Sequence, residues 1–256
     1  MDSYNRLLYK IEHAKPLTFS DIIERVVELY KKVWLKGVFM MLILVAFAVV
    51  ISFVFSVIGL APNNMFVVNE GVWGLSKLYM SGIVQSVPQT ILTSALTLAF
   101  VSAFYKMCMQ LDNNTPLVID DYFYFLKKEY FSKLLMLGII HTGIATVAQF
   151  MLFIPYIYVV VPLAYFAIIF ANNPELSEME IVKASFKLGN KKWLLSFGTL
   201  LVTGILGMLG VLACGIGLLF TISIVYLPTF FIYKDVVGFG IGSEIEQIGV
   251  ENDLDN

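Results

Sequence analysis

Six apolar stretches constrain this chain more than any other feature, covering about 37–60, 82–107, 133–153, 155–171, 193–213 and 215–233. Inside them there is no Asp, Glu or Arg, and the only lysines are Lys106, close to the end of the second, and Lys133, the first residue of the third. A run of about 20 apolar residues crosses the hydrocarbon of a bilayer as a helix. A soluble core has no room for six such runs in a chain of 256 residues. The composition agrees: 59% of residues are hydrophobic and 14% charged, against about 25% charged in soluble domains. The sequence therefore predicts an all-α polytopic membrane protein with six transmembrane helices. The fourth stretch is short and holds Pro162. The first begins only after a charged segment, so it reads as a retained signal anchor and not as a cleaved leader.

Lysine and arginine set the expected orientation. Arg6, Lys10, Lys15, Arg25, Lys31, Lys32 and Lys36 precede the first span. Lys106, Lys127, Lys128 and Lys133 separate the second from the third. Lys183, Lys187, Lys191 and Lys192 separate the fourth from the fifth, and Lys234 follows the sixth. Only Lys77 falls on the other side. Cationic loops stay in the cytoplasm, so both termini are expected there.

The basic segments share a plan: a proline, a polar capping residue, acids in a first helical turn, an amphipathic body and a basic end. Pro16, Pro116 and Pro174 open the three copies, which predict interfacial helices over about 18–34, 119–132 and 177–191. Thr18 with Asp21, and Ser177 with Glu180, have the spacing of a capping box. Ile22, Val26, Val33 and Trp34 lie on one face of the first copy, as do Ile181, Ala184, Ser185 and Leu188 in the third. The expected layout is three two-span hairpins, each introduced by an amphipathic helix on the cytoplasmic surface. Residues 1–235 form one membrane domain, and 236–256 an acidic mobile tail with Glu244, Glu246, Glu251, Asp253 and Asp255. Residues 61–81 read as an external loop.

Chemistry is sparse in the sequence. In the second span Gln85, Gln89 and Thr93 recur every four residues; in the third, His141, Thr142, Thr146 and Gln149 share a face. One reading makes Gln85, Gln89, His141 and Gln149 the walls of a polar cavity. The other makes them interhelical hydrogen bonds. Gly204, Gly207 and Gly210 in the fifth span read as a close-packing stripe. No catalytic constellation, metal-ligand set or cofactor fingerprint is evident, and Cys108 and Cys214 read as packed apolar residues. The net charge of −2 gives no field for nucleic acid.

What remains is the basic surface. Lys31 and Lys32, Lys127 and Lys128, and Lys191 and Lys192 stand beside Trp34, Tyr130 and Trp193, where anionic headgroups attract lysines. The segment Ala184-Ser185-Phe186-Lys187-Leu188-Gly189-Asn190-Lys191-Lys192-Trp193 resembles a loose group of bacterial six-span inner-membrane proteins. That group includes the membrane domain attached to some glycerophosphodiester phosphodiesterases. The resemblance implies a six-helix membrane fold and transfers no catalytic residue. The expected function is thus non-enzymatic: organising membrane lipids, or other membrane proteins, through basic interfacial helices. The alternative is a transporter or permease component that uses the polar faces of spans two and three.

Overall fold

The computed structural model describes residues 3–60, 71–112, 119–151, 154–212 and 215–239. The acidic tail beyond Phe239, Cys214, and residues 61–70 of the external loop lie outside them. The helices are α1 (Ser3–Glu12), α2 (Phe19–Val57), α3 (Gly71–Asp112), α4 (Lys128–Phe150), α5 (Ile154–Ala164), α6 (Phe166–Asn172), α7 (Glu178–Lys191), α8 (Trp193–Met208), α9 (Gly217–Thr221) and α10 (Leu227–Val236). Short 3-10 segments cover Ile119–Leu126, Leu209–Leu212 and Ile222–Tyr226. No strand occurs among the described residues.

Six helical stretches are long and apolar enough to cross a membrane: Phe19–Val57, Val84–Leu111, Lys128–Phe150, Ile154–Asn172, Trp193–Leu212 and Gly217–Val236. The chain is a multi-pass α-helical membrane protein, with span boundaries close to those expected except at the first, whose helix starts at Phe19 and not near Gly37. Spans four and six are interrupted. Span four breaks between α5 and α6, after Pro162; span six passes through the 3-10 turn at Ile222–Tyr226.

The interfacial helices differ from expectation. Residues 18–34 are not a separate helix: α2 runs unbroken for 39 residues, with the amphipathic stretch as its first half. Thr18 is its N-cap but its side chain makes no capping bond, so the expected box with Asp21 does not form. The second copy winds as a 3-10 segment from Ile119 to Leu126 and enters α4 at Lys128. Only the third copy is a separate α-helix with its box complete. The Ser177 side chain accepts from the Glu180 backbone N–H, and the Glu180 carboxylate accepts from the Ser177 N–H at 2.8 Å. The external loop is also shorter than expected, because α3 begins at Gly71.

The apolar faces of these segments are covered by protein. Ile22, Val26, Leu29 and Val33 are buried on α2, which packs along α8, α9 and α10. Ile181, Ala184 and Leu188 of α7 are fully buried against α1, α5 and α6. The segment around Gly189 is a docking strip for α5. A Cβ on Gly189 would sit 2.8 Å from the Pro162 Cα. The Tyr158 hydroxyl donates to Asn190 at 2.6 Å, and the Trp193 indole N–H donates to the Tyr158 carbonyl at 3.0 Å. α1, which the sequence did not announce, adds Leu7 and Ile11 to the same core. Packing does not divide the spans into three hairpins: α3 packs most extensively along α4, the next span in sequence but across the expected hairpin boundary.

The basic segments meet at one end of the bundle. Arg25 bridges Asp235 through two bonds of 2.8 Å and Asp21 through one of 3.0 Å. The Lys10 ammonium donates to the Val237 carbonyl at 2.8 Å, Lys187 pairs with Glu12, and Lys192 donates to the Lys15 carbonyl. Lys133 donates to the carbonyls of Pro174 and Leu176. These contacts join the start of α2, α4 and α8 to the end of α6 and α10. Successive spans therefore alternate in direction, as the spacing of the lysines requires.

The box at α7 gives a pH-dependent prediction. Bonds from Ser177 hold the Glu180 carboxyl below its ordinary range. A lowered carboxyl stabilises the fold fully above the unfolded value of about 4.3, and the benefit fades as pH falls through the folded value. Ser177→Ala is expected to lower the melting temperature by a few degrees at neutral pH, read by differential scanning fluorimetry in detergent. The gap to the parent should narrow below about pH 4.3. A gap that widened there would show that Glu180 does not depend on this cap.

Candidate functional site

The breaks in spans four and six interrupt the regular helical pairing, and at span six neighbouring hydroxyls take up a carbonyl left there. At span six the Tyr226 carbonyl accepts from Thr229 at 2.8 Å and from Tyr105 at 3.0 Å, and the two hydroxyls lie 2.6 Å apart. At span four the backbone pairs locally, the Tyr165 N–H donating to the Pro162 carbonyl at 3.2 Å; beside it Ser102 donates to the Ala167 carbonyl of α6 at 2.9 Å, and the Tyr165 and Ser196 hydroxyls lie 2.5 Å apart. Irregular backbone survives at membrane depth only where protein satisfies it or where it borders a cavity. Both conditions hold here.

Between the two breaks lies a chamber of about 230 Å³. Every span but the first contributes to it. Thr97, Val101 and Tyr105 come from α3, and His141 and Ala145 from successive turns of α4. Tyr156 and Ala164 of α5, Ala167 of α6 and Leu200 of α8 close the sides, with Tyr226 and Thr229 beneath. No described lining residue is Asp, Glu, Lys or Arg. Ligand pockets for drug-sized molecules run to about 300–1,000 Å³. This chamber therefore suits a slender guest, or one limb of a larger one.

Among the described lining residues His141 holds a buried nitrogen that the protein does not pair. Its ring meets Phe166 edge-on, with centroids 5.8 Å apart. Its Nδ1 is buried and finds no hydrogen-bond partner among the described residues. A buried polar atom without a partner costs about 1–3 kcal/mol. A guest that supplied a hydrogen bond would recover part of that cost.

Of the four residues expected to wall a cavity, only His141 lines this one. Gln89 donates to Ser52 at 2.7 Å and ties α3 to α2. Gln85 and Gln149 are not in the lining. The stripe around them serves helix packing. Thr142 donates to Ser94 at 3.2 Å across α4 and α3, while Thr90 and Thr93 turn back onto the Ser86 and Gln89 carbonyls of their own helix. Gly138 presses so tightly on α3 that a Cβ would lie 2.9 Å from the Ala95 Cβ. Between spans two and three, close packing holds. The chamber opens on the other side of His141, toward the broken helices. Pro162 was the sequence signal that pointed there.

The six lysines expected at headgroups divide into two kinds. Lys31, Lys32, Lys127, Lys128 and Lys191 are exposed. Lys192 is committed to the Lys15 carbonyl, and Lys127 rests against the Tyr124 ring at 4.7 Å. Among the described residues no three His, Cys, Asp or Glu side chains are placed to share a metal ion. No protein-family model, curated protein or solved structure matches the chain. The segment Ala184–Trp193 seats α7 and α8 on α5.

Proposed function

We propose that this protein is a non-enzymatic lipid-handling protein of a bacterial inner membrane, with both termini and the basic end of the bundle in the cytoplasm. The observation that carries the reading is the chamber itself. Its walls are uncharged and largely apolar, and among its described lining residues His141 holds a fully buried polar atom, Nδ1, without a partner. That chemistry suits an amphiphile: a hydrocarbon limb for the walls and a hydrogen-bonding group for the imidazole. It does not suit a bare ion, whose desolvation in such a space would cost far more than one imidazole returns. The exposed lysines add an attraction for anionic headgroups of about 1 kcal/mol each. Because the apolar faces of the amphipathic segments are already covered, the lysines, and not those faces, meet the lipid.

A carrier role has one observation in its favour. Discontinuous helices beside a chamber at membrane depth recur in transporters, where the half-helices move against each other. Spans four and six supply such breaks.

Filling the chamber tests the shared premise. Ala145 sits one turn beyond His141 on the same face of α4. Ala145→Phe should remove most of the free volume and lower the amount of co-purifying lipid or lipid-like guest about tenfold, read by native mass spectrometry of the purified chain. A tenfold loss corresponds to about 1.4 kcal/mol of binding. An unchanged guest profile in a well-folded variant would reject the chamber as the binding site.

A further inference from the structure

A second apolar hollow, of about 200 Å³, opens on the flank of the bundle and shares no lining residue with the chamber. Ile51 of α2, Leu92 and Leu96 of α3, Leu126, and Phe131 and Leu134 of α4 form its walls. None of its lining residues has a polar side chain. Phe131 and Leu92 are 59% and 38% exposed, so the hollow opens outward. All three helices are spans, so what lies outside is hydrocarbon and not water.

One end of the hollow reaches the basic end of the bundle. Leu126 is followed directly by Lys127 and Lys128. On α4, Lys128, Phe131 and Leu135 recur at intervals of three and four, which places the ammonium one turn above the apolar wall. Lys106 and Lys127 both lean on the Tyr124 ring, which concentrates positive charge at the same place. Lys127 is also the N-cap of α4, and its side chain makes no capping bond. No cap side chain accepts from the first turn, where the Tyr130 N–H pairs with the Lys127 carbonyl at 3.0 Å, and the positive end of the helix dipole there favours an anion. Glu129, the acid of that turn, projects about 100° further round the helix. Along the spans the lining covers Leu92 to Leu96 on α3 and Phe131 to Leu135 on α4, about one helical turn of each.

We propose that this flank is a binding site for one anionic glycerophospholipid. An acyl chain fills the hollow, and the phosphate sits at the start of α4 between Lys127 and Lys128. A soluble anion would have no use for the hollow, and a neutral lipid none for the lysines. The site takes its ligand class from the lipid-handling reading but uses none of the chamber's residues.

The test is a competition. The full chain, purified in a neutral detergent, is mixed with equimolar phosphatidylglycerol and phosphatidylcholine, and the ratio of bound lipids is read by native mass spectrometry. The parent protein should favour phosphatidylglycerol. Lys127→Gln and Lys128→Gln should each cut that ratio about fivefold, and the double variant about thirtyfold. Leu92→Trp, which fills the hollow, should lower both lipids alike. Should Leu92→Trp fail to fold, the two surface lysine variants still decide. Equal binding of the two lipids by the parent protein, or a parental ratio in the double variant, would overturn the proposal. Ala145→Phe separates the two sites: it should leave the ratio untouched. A guest profile insensitive to Ala145→Phe together with a lysine-dependent ratio would sink the chamber and leave this site standing.

Discussion

Gly210→Val should lower stability by about 3 kcal/mol or more, the upper range of overpacking effects, whereas Gly204→Ala should be neutral or slightly stabilising. The two glycines belong to one stripe in span five and are indistinguishable by spacing. Their surroundings differ. A Cβ on Gly210 would lie 2.3 Å from the carbonyl carbon of Gly217 and 2.4 Å from its oxygen. Those are backbone atoms, so no rotamer change relieves the clash; spans five and six must separate. A Cβ on Gly204 meets nothing within 4 Å, and alanine is favoured over glycine in a helix by up to about 1 kcal/mol. Gly207 stands between them, with its Cβ position 3.2 Å from a Val225 methyl and 3.4 Å from the Ile222 Cα. The expected order of loss is Gly210, then Gly207, then Gly204. Thermal unfolding of the three variants in one detergent measures it. Similar losses at 204 and 210 would mean that span five does not contact α9 as described.

That stripe also shows where the sequence stops informing. Spacing says that a helix has a close-packing face; it does not say which glycine touches a neighbour. The same limit applies to the amphipathic segments. Ile22, Val26 and Val33 announce an apolar face correctly, but lipid tails and packed side chains are equally apolar. No pattern of residues tells which of them covers it. The six spans were legible because a length near 20 residues without charge has one physical use. The lysines were legible because they alternate between loops. α1 was not, since a ten-residue polar helix has no stability of its own and forms by docking Leu7 and Ile11 onto α7. The second interfacial copy was misread for a related reason. Pro116 and Asp120 signal a start, but the body Ile119–Leu126 is rich in aromatic residues, which pack Phe125 against Phe170 in a tight 3-10 turn. At the chamber, Pro162 and His141 were visible as single residues. Their neighbours were not, because Tyr105, Thr229 and Tyr226 are brought together from positions 121 or more residues apart along the chain for the first two pairs.

His141→Leu should raise stability and weaken guest binding together. The imidazole carries a buried nitrogen without a partner among the described residues, a burden of about 1–3 kcal/mol that leucine removes. Against this stands the edge-on contact with Phe166, worth about 0.5–1.5 kcal/mol, of which leucine keeps part as packing. The desolvation cost is the larger, so the melting temperature should rise, by the equivalent of about 1 kcal/mol. A purely structural histidine would show that rise and nothing else. If the chamber holds an amphiphile whose polar group meets His141, retention of that guest should fall about tenfold, the worth of one buried hydrogen bond. His141→Gln keeps a donor and an acceptor, and should restore part of the retention at the cost of part of the stability gain. The opposed signs make the measurement decisive. Selection for stability alone would replace this residue. A polar group kept where it is least comfortable is the expected mark of a site whose missing bond comes from what it binds.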